Sequence, residues 1–260
     1  MTDTTPRLSF GDTLRAWLVP DRLYLWDKHR RYLASGEPEI HLLSLLASPE
    51  RTSLDVGAFK GVYSYALMRY SARVHSFEPN PKVCAILARR LRGMSAKVTV
   101  HQLALSNATG TAELRVPVSG SRFEHPRASL SRTAVRERFG TTTICTSRLD
   151  DLAIENIGFI KIDAEGFERE VLEGARSTID RDRPNLLIEM DEAHTGVPLP
   201  KMISFVEDLG YECIVLLHGS LMPFAMLDIE LHHRHAPHRK DFVNNFIFLP
   251  NRKSRVTTRA

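Results

Sequence analysis

The chain has 260 residues, 43% of them hydrophobic and 25% charged, which is the balance of a globular protein rather than a disordered one. That length suits one large α/β domain, and no stretch reaches the roughly 18 uninterrupted apolar residues of a membrane span. The net charge of +4 leans mildly toward anionic partners, while Cys84, Cys145 and Cys213 are too few and too scattered for a disulfide framework or a zinc pattern. The polar, acid-bearing start from Met1 to Asp12 does not read as a secretory signal, so a cytoplasmic protein with reduced thiols is expected.

Residues 1–50 read as an N-terminal helical extension carrying Leu42, Leu43, Leu45 and Leu46, with Trp17, Tyr24 and Trp26 in core or dimer packing. From Thr52 short apolar runs alternate with amphipathic stretches, the mark of βαβ units around a parallel sheet. Thr52 to Val56 is a buried strand, Gly57 to Gly61 a turn, and Val62 to Tyr70 a helix. Arg73 to Phe77 is the second strand, ended by Glu78-Pro79-Asn80-Pro81, where Pro81 fits the first turn of a helix. A third strand follows at Val98 to Leu103, with Thr111 to Val118 as an added one, and further strands at Phe159 to Ile162, Asn185 to Met190, Tyr211 to Leu217 and Asn245 to Leu249. Helices are expected through Val171 and Leu172 and from Lys201 to Leu209.

Within this 51–250 domain the segment 119–143 breaks the rhythm. It holds Arg122, Arg127, Arg132, Arg136 and Arg138 with few apolar residues, and reads as an inserted basic loop. Such a loop either stays solvated or closes over an acceptor and grips phosphate or carboxylate through bidentate contacts. His232, His233, His235 and His238, with Arg234, Arg239 and Lys240, form a second basic run between the last two strands. Solvated surface, acceptor binding and a metal site are its three readings. Residues 251–260 form a basic tail.

Three stretches carry chemistry. Leu54-Asp55-Val56-Gly57-Ala58-Phe59-Lys60-Gly61 leaves a strand for a helix, and Gly57 permits a tight turn and a close ligand. Its G-x-x-x-G spacing departs from the G-x-G-x-x-G of a pyrophosphate site, and no G-x-x-x-x-G-K-[ST] loop is present. Glu78, about 20 residues later at a strand's carboxyl end, stands where an acid meets ribose hydroxyls in nucleoside-binding sheets. The third stretch, Phe159 to Glu168, ends an apolar strand in Asp163, Glu165 and Gly166, and the next strand ends in Glu189, Asp191 and then His194. Carboxylates so placed could orient an amine, bind Mg²⁺ or take a proton from a hydroxyl, while Glu165 and Glu168 also suit a helix start.

In this order LDVGAFKG, HSFEPNP, ALSNATGTAELRV, TSRLDDL, IKIDAEGFEREVLEGA, PNLLIEM, LGYECIVL and NNFIFLP resemble the FkbM-type methyltransferase family over most of Thr52 to Pro250. The resemblance implies an α/β, seven-stranded, mostly parallel Rossmann-like methyltransferase sheet with helices on both faces. It implies S-adenosylmethionine as cofactor and O-methylation of a hydroxyl on a sugar, glycan or secondary metabolite. By the same likeness Gly57, Ala58 and Gly61 line the methionine end, flanked by Asp55 and Phe59. Glu78 holds the ribose and Gln102 to Ala104 form the adenine edge; from its strand-end position, Asp163 is the carboxylate expected to reach the cofactor amine. Phe59 stands where family members commonly carry asparagine, which leaves backbone contacts there. The proton acceptor is expected among Asp163, Glu165 and His194, with Mg²⁺ as a variant and no dedicated metal site assigned. The expected partner is a small-molecule or glycan acceptor, with anionic groups if the arginines bind it, and a homo-oligomer stays open. No Asn/Asp-Pro-Pro-Tyr/Phe stretch is present, which disfavours nucleic acid. A nucleic-acid methyltransferase, suggested by the pI near 9.0, and a non-catalytic cofactor-binding partner are the alternatives.

Overall fold

A computed structural model describes residues 20–94, 96–117, 139–236, 238 and 241–251. Its centre is an eight-stranded sheet in the order β10-β9-β11-β8-β7-β1-β2-β3. The strands are β1 Thr52–Val56, β2 Arg73–Phe77, β3 Val98–His101, β7 Ile157–Ile162, β8 Asn185–Glu189, β9 Tyr211–Leu217, β10 Ser220–Pro223 and β11 Asn245–Pro250. β3, β2, β1, β7 and β8 run parallel, whereas β11 runs antiparallel between β8 and β9. Seven strands were expected. The eighth, β10, folds back on β9 through His218 (φ 49°) and Gly219 (φ 79°), a left-handed pair suited to a two-residue hairpin.

Alternation within the strands decides which side chains reach each face. Leu54, Val56, Ile160, Ile162, Leu186 and Ile188 point into one core under the helices Glu168–Glu173, Arg176–Asp182 and Leu199–Glu207. Phe159, Leu187 and Ile247 point to the other face, against the helix Val62–Leu67 and Leu43 and Leu46 of the N-terminal segment. β7 is buried along its whole length, as a central parallel strand covered on both faces must be.

The third expected strand divides. β3 ends at His101, and β4 Ala104–Leu105 joins a second sheet in the order β4-β6-β5. There β5 Gly110–Pro117 pairs antiparallel with β6 Phe139–Ser147. Residues 139–143 are therefore strand rather than loop, because their backbone groups pair with β5. Arg122, Arg127, Arg132, Arg136 and Arg138 lie outside the described residues, as do Trp17 and 252–260.

The N-terminal helix Asp21–Ser35 lies on the helices Val62–Leu67 and Pro81–Leu91. Leu25 is fully buried with Leu87, Leu91 and Ala58, and the Arg90 guanidinium sits 3.9 Å from the Tyr24 ring centroid. Trp26 is 53% exposed, contrary to a packing role within the chain, since it occupies the helix face opposite this contact. No helix among the described residues is long and apolar enough to cross a membrane.

Candidate active site

The strand order reverses direction between β1 and β7, since the chain leaves β1 toward β2 and later leaves β7 toward β8. Such a switch point opens a crevice outside the carboxyl ends of the strands, the usual ligand position in an open α/β sheet. Gly57 and Asp163 flank it, following β1 and β7 respectively. Gly57 adopts φ +80° with its Cα against the Asp163 backbone, and Gly61 adopts φ +77° where the helix Val62–Leu67 begins.

The turn is tied to the neighbouring strand rather than left open. The Gly57 and Ala58 amides both donate to the Phe77 carbonyl at 3.0 Å, and the Gly61 amide donates to Ala58. The Phe59 amide donates to Glu78 Oε2 at 3.0 Å, and that of Asn80 to Glu78 Oε1 at 2.9 Å. These four turn amides are engaged within the protein. Phe59 is half-buried at φ 43°, a left-handed position that side chains other than asparagine, aspartate and glycine rarely take. Each Glu78 oxygen keeps a second lone pair, the requirement for holding a vicinal diol. Burial lifts its pKa to about 7 against the two amides, with Asp55 and Asp163 adding repulsion.

Asp55 lies beneath the turn, 2% exposed, and accepts the Ser64 hydroxyl at 2.5 Å, with Ser76 Oγ 2.7 Å from that hydroxyl. It braces β1 against β2 and the following helix, so its access to a ligand is indirect. Gln102 is exposed just past β3, and Ala104 opens β4 at the same edge.

The most unusual side chain is one the sequence reading quoted without a role. Lys161, in the middle of an apolar strand, is 2% exposed. Its Nζ donates to Asp163 Oδ2 at 3.1 Å and lies 4.8 Å from the centre of the Tyr63 ring. In register it stands opposite Asp55 on β1 and Leu187 on β8, so Glu189, two residues beyond Leu187, shares its face at the carboxyl edge. Burial opposes the Lys161 charge, but the carboxylates of Asp163, Glu37, Glu189 and Asp55 outweigh it and hold the pKa above the usual lysine value. Glu37 arrives from the N-terminal segment and accepts the Tyr63 hydroxyl at 2.8 Å, with the Tyr32 ring edge-on to Tyr63 at 6.0 Å. A lysine inside the run Phe159–Ile162 is the sequence signal for this network, because a buried ammonium needs anionic partners.

Carboxylates are crowded here. Burial, then Asp163 and Glu168, push Glu165 up to about 8. Burial, then Asp163, push Glu189 up to about 9, with Lys161 pulling the other way. Glu165 has φ 51°, and its Oε2 lies 3.3 Å from His194 Nδ1, outside hydrogen-bond alignment, so that buried oxygen has no donor. The structure therefore brings Asp163, Glu165 and His194 to one edge. Glu168 turns inward instead, accepting the Ala164 amide at 3.1 Å and the Gly166 amide at 3.0 Å, as a loop-capping acid does.

The histidine run forms a π-helical turn, Glu230–Arg234, over the edge beside β8. His233 is buried with Nδ1 2.8 Å from the Val243 carbonyl, and Arg234 grips both Glu192 oxygens at 2.7 Å. Those bonds draw the Glu192 pKa down to about 2. Among the described residues no group of three His, Cys, Asp or Glu side chains is placed to hold a metal ion.

A doubly wound sheet with carboxylates gathered at its switch point is a Rossmann-like arrangement. Residues 55–213 match the Methyltransferase FkbM domain; the chain belongs to that family and is a methyltransferase. The 2-O-methyltransferase NoeI of Sinorhizobium fredii is 27% identical over 170 residues, 59% of this chain and 69% of the relative. Methyltransferase sdnD of Sordaria araneosa is 28% identical over 190 residues, 61% of this chain and 73% of the relative. The crystal structure of methyltransferase FkbM from Methylobacillus flagellatus superposes with a TM-score of 0.50 at 21% identity and shares the fold. It covers 84% of this chain, which spans only 52% of that longer one.

Proposed function

We propose that this enzyme transfers a methyl group from S-adenosylmethionine to a hydroxyl oxygen of a sugar or hydroxylated secondary metabolite. The observation that carries the reading is the charge imbalance at the crevice. Asp55, Asp163, Glu189 and Glu37 act on the buried ammonium of Lys161, and Glu165 and Glu78 lie nearby with raised pKa values. Such an edge suits a ligand bearing positive centres, and S-adenosylmethionine carries a sulfonium and an ammonium. The spare lone pairs of Glu78 suit the ribose diol, and the Gly57 turn supplies a wall without a Cβ. When bound, the cofactor supplies an already electrophilic methyl carbon.

The residues of the chain then bind and align. Glu78 and the 57–61 turn fix the nucleoside, and Lys161 holds the Asp163 carboxylate at the mouth of the crevice. Much of the rate of such a displacement comes from holding the acceptor oxygen in line. A hydroxyl of ordinary acidity also gains from a nearby proton acceptor, for which Asp163, Glu165 and His194 are the candidates at this edge. For the acceptor class, the support is the name of the 2-O-methyltransferase relative.

Titration calorimetry with S-adenosylmethionine, and labelled-methyl transfer to a panel of methyl glycosides and hydroxylated metabolites, test this. Saturable cofactor binding that weakens at least tenfold in Glu78→Ala, with label appearing as an ether, is expected. A wild-type protein that binds no cofactor overturns the reading, and label entering RNA instead of the panel overturns the acceptor class.

A further inference from the structure

We propose that Glu189, positioned by Asn244, is the group that accepts the acceptor hydroxyl's proton; this rests on the methyl-transfer reading above. The placement comes from the sheet. β1 and β2 lead into the Gly57 turn and Glu78, so the nucleoside side of the switch point is the β1–β2 side. The opposite side, left for the acceptor, is bounded by the carboxyl ends of β7 and β8. Glu189 is the last residue of β8, on the face of Lys161 and half-buried at the crevice edge.

Its two oxygens are treated differently. Asn244 Nδ2 donates to Oε1 at 2.8 Å, and no side chain among the described residues donates to Oε2. Asn244 is itself held, since its Oδ1 lies 3.5 Å from Asn245 Nδ2 and its carbonyl accepts the Met190 amide at 2.8 Å. Asn245 is the register partner of Glu189 and shares its face of the sheet. It is 2% exposed, yet its Oδ1 has no donor. On this register pair a buried amide oxygen and a carboxylate oxygen thus both lack a protein donor, and a ligand hydroxyl could donate to the carboxylate.

The other carboxylates are less well placed. Asp163 is engaged by Lys161, whose Nζ donates to its Oδ2 at 3.1 Å. Glu165 stands on a turn beyond the strand, where its Oε2 is buried near His194. Glu168 holds the loop. The groups facing Glu189 are Lys161 from β7, Asp163 just past its end, Glu37 from the N-terminal segment and Glu165 from the loop after β7. With the cofactor bound, its sulfonium and ammonium draw the Glu189 carboxyl down to its anion; the acceptor oxygen then bonds to the transferred methyl carbon while its proton passes to Glu189. The carbon–sulfur electron pair stays on the leaving sulfur, and the proton later returns to water.

The test needs no acceptor. Sinefungin carries an amine where S-adenosylmethionine carries its methyl, whereas S-adenosylhomocysteine has nothing there. If Glu189 faces that point, wild-type protein binds sinefungin tighter than S-adenosylhomocysteine, and Glu189→Gln lowers the ratio of dissociation constants by roughly tenfold. Affinity for S-adenosylhomocysteine stays within about twofold, because the glutamine oxygen can still accept from Asn244. Asn244→Ala, which leaves the charge in place but unheld, should lower the ratio by a smaller factor. The assignment is overturned if the ratio survives Glu189→Gln, or falls in Glu165→Gln or Asp163→Asn instead. A ratio unmoved in Asn244→Ala removes the positioning role. Wild-type protein that binds neither ligand overturns the methyl-transfer reading itself, and this assignment with it.

Discussion

Gly57 and Asp163 meet back to back across β1 and β7, so close that a Cβ built on Gly57 would lie 1.9 Å from the Asp163 carbonyl oxygen. The two walls of the crevice are thus one rigid contact, and the glycine is required both for its φ of +80° and for this approach.

Gly57→Ala should therefore cost stability and function together. Strain at a left-handed position plus forced separation of the two strands amounts to roughly 2–4 kcal/mol. Thermal denaturation should show the loss, and calorimetry should show weakened S-adenosylmethionine binding. A variant of unchanged melting temperature would show that the strands part without cost.

Lys161→Met removes the sole ammonium from among Asp163, Glu189, Glu37 and Asp55. Stripping one partner from a buried ion cluster costs about 3–5 kcal/mol, because the charges left behind lose their compensation. The deficit should shrink as pH falls and the carboxylates protonate. Urea titrations at neutral and mildly acidic pH would check both the size and the trend.

The raised carboxylates set the pH dependence of the whole protein. Glu78 at about 7, Glu165 at about 8 and Glu189 at about 9 keep protons in the folded state that the unfolded chain has released. Where the folded state binds more protons, stability falls as pH rises. His75, pushed down to about 4 by burial beside His101, is neutral in both states above roughly pH 6.5–7 and does not mask the trend. Melting temperature should accordingly decline from about pH 7 to about pH 9. Glu165→Gln should flatten that decline, and a slope identical to wild type would remove Glu165 from the account.

Leu25 ties the N-terminal helix to the turn through Ala58. Leu25→Ala should destabilise by about 2–5 kcal/mol, as cavity formation at a fully buried leucine does. It should also weaken cofactor affinity, although the side chain is not expected to touch the ligand. Calorimetry on the folded variant would separate that effect from unfolding.

Much of the fold was legible in the sequence because apolar runs of strand length alternate with helical spacing. β1, β2 and β9 occupy the expected positions, and β11 runs one residue further. The miss at β10 has a physical source: His218-Gly219 is a hairpin signal, but the strand after it is short and mostly exposed, with little apolar pattern. The break between β3 and β4 is equally hidden, since Leu103 packs against the core whichever sheet follows. At the site, strand-end acids announced themselves by position. Glu37, Tyr32, Tyr63 and Asn244 could not, because they come from three separate segments that only tertiary packing brings together.

The ratio of carboxylates to ammonium around Lys161 has a directional consequence. An edge so built grips an arriving cation and loosens once that positive charge is extinguished. Methyl loss turns a sulfonium into a neutral thioether, so on the proposed chemistry each turnover dissolves part of the attraction that recruited the reactant. The spent nucleoside is thereby made easier to exchange for a fresh one.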